Sequence, residues 1–199
     1  MDSKTLTRFF LLPIYQPLSG MEELIAHKKK VLYAVLIFLF LGIIYTLSVQ
    51  LAYQKGLGAN VEPFIKIPAG EYYFWQRFYQ IPFFFLTSIV FAGLVRLLAL
   101  PIGGEGSFED HFCLFCVAQT LPMFLTMWLP ETIYFVFFSQ ASIAPLWFDI
   151  SRQVLGIIWP LAIMVLGIVI IEKIPWYASL LITLIAAIPV VGLMVIFIR

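Results

Sequence analysis

Charge is what this chain has least of. Asp, Glu, Lys and Arg together make up 12% of its 199 residues, about half the share found in soluble domains. Hydrophobic residues make up 62%, and the mean hydropathy is +1.00. A soluble fold of this length could not hide so much apolar surface, so the lipid bilayer is its solvent. The net charge is +1, and there is no basic face long enough to track phosphates, which argues against nucleic acid as a partner. Only two cysteines occur, Cys113 and Cys116, both inside an apolar run. At i, i+3 on one helix they make a poor disulfide pair and read as small buried hydrophobes. No Ser-His-Asp set, H-E-x-x-H motif, Rossmann fingerprint or P-loop occurs, which removes the commonest catalytic constellations.

What is present is a series of long uncharged segments. The basic cluster His27-Lys28-Lys29-Lys30 precedes 19 uncharged residues, Val31 to Val49. That run is longer than a signal-peptide core and reads as a retained first span. Between Arg77 and Arg96 lie 18 uncharged residues, about 27 Å as a helix and enough to cross a bilayer. Span two is thus expected near 81–98, and further spans near 108–129, 154–171 and 176–198, with Ser151 capping the fourth and Glu172-Lys173-Ile174-Pro175 a short turn before the fifth. The expectation is therefore an all-α, polytopic transmembrane helix bundle of five spans, spread over one membrane domain, 1–199.

Six spans remain the alternative. Thr132 to Phe148 is 17 uncharged residues, marginally long enough to cross. Ser139, Gln140, Ser142 and Pro145 interrupt it, so an interfacial or re-entrant segment is favoured. With the N-terminus inside, five spans place seven Lys and Arg inside and five outside; six spans would place eight against four. The triple lysine sets the N-terminus on the cytoplasmic side.

Residues 1–19 read as an irregular amphipathic lead-in broken by Pro13 and Pro17. Ser19 and Glu22 have capping-box spacing, so a helix is expected from about Gly20, running unbroken into span one. Residues 50–77 read as a polar connector. It leads into the aromatic run Tyr72 to Tyr79, which is expected to anchor the membrane edge or, on a sharper reading, to form a lid.

The most distinctive stretch is Gly103-Gly104-Glu105-Gly106-Ser107-Phe108, a tight hairpin between spans two and three. Gly103 and Gly104 allow backbone angles that other residues resist, and Gly106 lets the chain reverse. Ser107 can cap span three, with Asp110 three residues on. An anion or lipid-phosphate nest is the functional alternative, opposed by Glu109 and Asp110 in the same first turn. Gln119 and Thr120, with Pro122, are polar or kinking at mid-span. They should face the bundle, as packing groups or as a permeation or ligand site. Glu23 and His27 share a helix face, and Asp110 and His111 are adjacent, so these four are the candidate metal donors. The preferred reading assigns no metal and no other cofactor: the acids pair with lysines and headgroups, His27 and His111 are interfacial, and positive charge beside the histidines disfavours a divalent cation.

With these residues in hand, the chain resembles the Yip1 family of small polytopic membrane proteins. The resemblance rests on Gly103-Gly104-Glu105-Gly106-Ser107-Phe108 leading to Leu121-Pro122, on the lead-in from Pro17 to Glu23, and on five spans. It implies a five-helix domain with a cytosolic N-terminus, like the compact prokaryotic members, in a cell membrane. Eukaryotic relatives are associated with Rab GTPases and with vesicle traffic between ER and Golgi. The family offers no catalytic residues. The leading expectation is a non-enzymatic scaffold or modulator of membrane organisation, embedded in the lipid bilayer. Its cytosolic face would meet a protein partner or a second copy of the chain. A transporter or channel for a small molecule, ion or lipid, built on Gln119 and Pro122, is the alternative; a metal-dependent membrane enzyme is third.

Overall fold

In a computed structural model, residues 3–57, 64, 66–137 and 146–197 are described, and among them every regular element is helical. The order is α1 (Ser3–Tyr15), α2 (Pro17–Ala26), α3 (Lys30–Gln54), α4 (Tyr72–Ala99), α5 (Phe108–Met123), α6 (Leu129–Phe137), α7 (Leu146–Glu172) and α8 (Trp176–Phe197). Five helical stretches are long and apolar enough to cross a membrane: Lys30–Gln54, Ala69–Ile102, Phe108–Ile133, Ile150–Glu172 and Trp176–Phe197. They form an all-α bundle.

The spans alternate in direction. Lys30 at the start of α3 meets Asp110 at the start of α5, and Arg96 near the end of α4 meets Glu172 at the end of α7. These contacts define one end of the bundle, called the base here. At the opposite end, Tyr79 near the start of α4 donates to the carbonyl of Phe197 at 2.8 Å. The first span therefore enters at the base, and the last one finishes at the far end.

α5 is the central helix. From Cys113 to Pro122 every residue is buried, because α3, α4 and α7 all pack on it. Lipid tails are as apolar as leucine, so helices associate here by close fit. α7 shows the fit at two glycines. A Cβ on Gly156 would come 2.7 Å from Thr126 Oγ1, and one on Gly167 would collide with Leu114. On α4, Ser88 and Ala92 one turn apart have no exposed surface; on α8, Thr183 has none, while Ala187 one turn on is partly buried. α8 touches α4 and α7 and turns Leu181, Ile188 and Val191 outward.

Several boundaries differ from the sequence expectation, each for a local reason. The lead-in is helical, not irregular, and its apolar residues pack: Phe9, Met21 and Leu24 are buried. α2 starts at Pro17, a residue preorganised for the first helical position, and Ser19 bonds Gln16 instead of capping. The chain then leaves helical geometry at His27 (ψ 131°), so no helix runs unbroken into span one. Span two begins about ten residues earlier than expected, because the aromatic run Tyr72 to Tyr79 forms the first two turns of α4. Ser151 does not cap α7; it lies inside the helix and donates to Trp147 O at 2.7 Å.

Within 130–153, α6 continues span three to Phe137 and α7 begins at Leu146. The expected re-entrant segment falls largely on 138–145, outside the described residues. α5 passes into α6 through a five-residue π turn, Phe124–Trp128, directly after Pro122. Proline has no N–H to give to the preceding turn, and the chain widens there. The Pro122 carbonyl accepts from Thr126 Oγ1 at 2.9 Å, the back-bond to the preceding turn that a threonine hydroxyl makes within a helix.

Candidate functional site

The base carries a closed ionic cluster built around Glu172, the last residue of α7. Its carboxylate is fully buried. Oε2 accepts from the Gly106 N–H at 2.8 Å and lies 3.4 Å from Arg96 Nη1. Oε1 lies 2.5 Å from His111 Nε2. Arg96 Nη1 also donates to Gly104 O at 3.0 Å. One carboxylate thus ties together the end of α4, the hairpin, the start of α5 and the end of α7. A buried carboxylate persists only when its lone pairs are met by donors and a counter-charge, and here both are supplied.

This arrangement explains the glycines. Gly103 has φ +82° and closes, in the left-handed cap conformation, the 3-10 turn Leu100–Ile102 that follows α4, with Gly104 N–H reaching back to Ala99 O at 3.0 Å. That is the use of glycine expected from the sequence. Gly104 and Gly106 serve differently: neither has positive φ. A Cβ on Gly104 would strike Glu172 Oε2 and Ala99, and one on Gly106 would strike Ile171 and the Glu172 carboxyl. They are glycines of close approach, not of chain reversal.

Around this core the base is laced by further pairs. Ser107 caps α5 in a reciprocal box: Asp110 N–H donates to Ser107 Oγ at 3.2 Å, and Ser107 N–H donates to Asp110 Oδ2 at 3.1 Å. Lys30 Nζ meets Asp110 Oδ1 at 2.5 Å. Lys173 Nζ lies 2.6 Å from Glu105 Oε2 on the surface, and that carboxylate holds the Lys173 amine above its ordinary pKa. Lys173 itself sits at φ +54°, a conformation that a residue with a Cβ adopts only under constraint.

The candidate metal donors are not brought together. Glu23 pairs with Arg8 at 3.0 Å. His27 packs edge-on against Phe9 and Tyr33, and its Nδ1 accepts from Lys29 N–H at 3.0 Å. Asp110 is held by Lys30, and His111 by Glu172. Among the described residues no three His, Cys, Asp or Glu side chains gather as a metal site. His111 departs from the expectation of an interfacial histidine: it has no exposed surface, and its Nδ1 has no hydrogen-bond partner among the described residues. Phe108 is exposed and stacks beside Phe112, whereas Pro122 lies in the core.

Gln119 and Thr120 are both buried, as expected for polar mid-span residues, and the Gln119 carbonyl oxygen has no partner among the described residues. Sequence reading missed a second polar group nearer the far end. Tyr45 donates to Glu131 Oε2 at 3.5 Å, and Arg152 approaches Glu131 Oε1 at 3.4 Å. Tyr45 also stacks on Trp128, with centroids 4.3 Å apart. Gln76 and Gln80, one turn apart on α4, are also buried, as is Tyr72, one turn before Gln76 and 2% exposed. Gln76 Oε1 and both amide atoms of Gln80 lack partners among the described residues. The aromatic run is therefore split: Tyr72 faces the bundle, while Trp75 and Phe78 face outward as membrane anchors would. The i, i+4, i+8 spacing of Tyr72, Gln76 and Gln80 was the available signal, masked by apolar residues all round the helix.

In comparisons with protein-family models, curated proteins and solved structures, nothing matches the chain.

Proposed function

We propose that this chain is a non-enzymatic integral membrane protein that acts as a scaffold or modulator of membrane organisation. Its working surface would be the base: the α1–α2 lead-in, the 103–111 hairpin and the 172–175 turn. The lysines at 28–30 argue that this end faces the cytoplasm, and the resemblance to compact prokaryotic Yip1 members supports a prokaryotic cell membrane. The observation that carries the reading is the Glu172 cluster. Each group that reaches the carboxylate is a donor from the protein itself, so the cluster works as a weld and leaves no base aimed at a substrate. Welding is useful when the hairpin must keep its shape for a partner. The Yip1 resemblance agrees with such a role, and a second copy of the chain is one partner to test.

The experiment is photocrosslinking in native membranes from positions 105 and 109, both exposed. A discrete protein adduct from these sites, absent from a control position at Ile188, is expected. Breaking the weld with Glu172→Gln should weaken it. Adducts no different from the Ile188 control would reject the scaffold reading.

A transporter or channel is the second reading, favoured by the carbonyl oxygens of Gln76 and Gln119 and the amide of Gln80, which have no partner among the described residues. Unmet amides inside a bilayer are costly unless water or a solute reaches them. Solute uptake into liposomes that is abolished by Gln80→Leu would move the assignment there.

A further inference from the structure

One face of α1 forms an open groove lined by Lys4, Thr7, Arg8 and Leu11. These residues follow the i, i+3, i+4, i+7 spacing of a single helix stripe. The opposite face is anchored: Phe9 is buried, and Leu6 and Phe10 pack on the core. The stripe has a polarity. Its two cations and hydroxyl occupy the first turns, and Leu11 follows, with Tyr15 exposed beyond it.

α1 lies against the first span. Phe9 packs against His27 and Tyr33, at the base. Phe10 packs against Phe40, with centroids 6.2 Å apart. Phe40 lies ten residues into α3, about 15 Å from its start. α1 therefore packs beside the first half of a membrane span. Lys4 and Arg8 are exposed on it, and Lys28 and Lys29 are exposed just before that span begins. Over residues 3–29 the cations Lys4, Arg8, Lys28 and Lys29 outnumber the acids Glu22 and Glu23.

We propose that this groove holds an acidic phospholipid, with its phosphate on Lys4, Thr7 and Arg8 and an acyl chain along Leu11. A phosphodiester accepts from an ammonium, a hydroxyl and a guanidinium together, and arginine suits its geometry best. Arg8 is also paired with Glu23 at 3.0 Å, with 63% and 36% of the two side chains exposed. Such an exposed pair is weak, so a lipid phosphate can compete for the guanidinium. α1 belongs to the surface assigned to the scaffold role, but the Glu172 cluster that carries that role takes no part in the groove, so the two readings can fail separately.

The test uses the full-length protein, delipidated in neutral detergent. Phosphatidylglycerol or phosphatidylcholine is added back, and lipid adducts are counted by native mass spectrometry. Phosphatidylglycerol should bind more tightly, and more weakly as salt rises. Removing one positive charge should cost about five-fold in affinity, and Lys4→Gln with Arg8→Gln about thirty-fold. Glu23→Gln, which frees Arg8, should tighten binding; it is the second variant should the double one fold poorly. Equal binding of the two lipids, unchanged affinity in the double variant, no tightening in Glu23→Gln, or full displacement by millimolar inorganic phosphate would each overturn the proposal.

Discussion

Removing the carboxylate of Glu172 should be among the most damaging single changes in the protein. Glu172→Ala strips the acceptor from the buried Gly106 N–H and from His111 Nε2. Each buried polar group left unmet costs about 1–3 kcal/mol. Arg96 loses its counter-charge but keeps the Gly104 carbonyl and is 27% exposed, so it adds little. The total is about 3–5 kcal/mol, the range found when one partner of a buried ion pair is deleted. Glu172→Gln keeps one acceptor and the side-chain shape, and should cost about 1–3 kcal/mol. Gly106→Ala forces a methyl group against Ile171 and the Glu172 carboxyl, an overpacking cost of about 1–3 kcal/mol. The two defects share a cause: with Glu172 shortened, part of the clash is relieved. The double variant Gly106→Ala with Glu172→Ala should therefore be less damaged than the two single losses combined, by at least about 0.5 kcal/mol. The assay is reversible unfolding in mixed micelles of neutral and denaturing detergent. A loss below about 1 kcal/mol for Glu172→Ala, or strict additivity in the double variant, would refute the reasoning that the hairpin is built around this carboxylate.

Ser107→Ala should cost about 1 kcal/mol through loss of the α5 cap, read as a lower melting midpoint. Ser107→Asn should be milder than Ser107→Asp, because Asp110 Oδ2 lies 2.6 Å from the residue-107 hydroxyl and a second carboxylate there would be repelled; Asp equal to Asn would count against the reciprocal box. Gln80→Leu distinguishes a dry interior from a wet one: in a dry bundle, removing an unmet amide should raise stability by about 1–3 kcal/mol, whereas a loss would show that water or a solute meets Gln80. A reporter fused after Arg199 should report the side opposite the N-terminus, since the five spans alternate; a signal from the same side would require another crossing. The Lys173–Glu105 pair has a definite pH sign. Because the folded lysine is raised above its ordinary 10.5, its contribution is complete below that value and is lost as pH rises through the raised one. The stability difference between the native protein and Glu105→Gln should thus be flat from about pH 6 to 9 and close only in strong alkali; closure near pH 8 would show that some other group titrates.

The membrane bundle was legible because bilayer thickness imposes a run length, and uncharged runs of that length are visible residue by residue. The cap at Ser107 was legible for a similar reason. It joins groups three residues apart, and such bonds are encoded in contiguous sequence. The hairpin's position was also readable, since glycines and acids crowd between two apolar runs. What the glycines are for was not readable. Gly106 meets Glu172 across 66 residues, and Lys30 meets Asp110 across 80; no local pattern marks such partners. Glu172 looked like one more acid in a turn, and His111 like an interfacial residue, until the helix ends were brought to the same level. The inward face of α4 was hidden for a different reason. In a soluble helix, polar residues mark the solvent side. In a lipid-facing helix both sides are apolar, and only packing decides that Tyr72, Gln76 and Gln80 point inward. The sequence by itself therefore determined the class of fold, the number of long apolar helices and the local cap. Tertiary structure alone decided which charges are buried, which glycines are essential for close approach, and that the lead-in folds back onto the bundle.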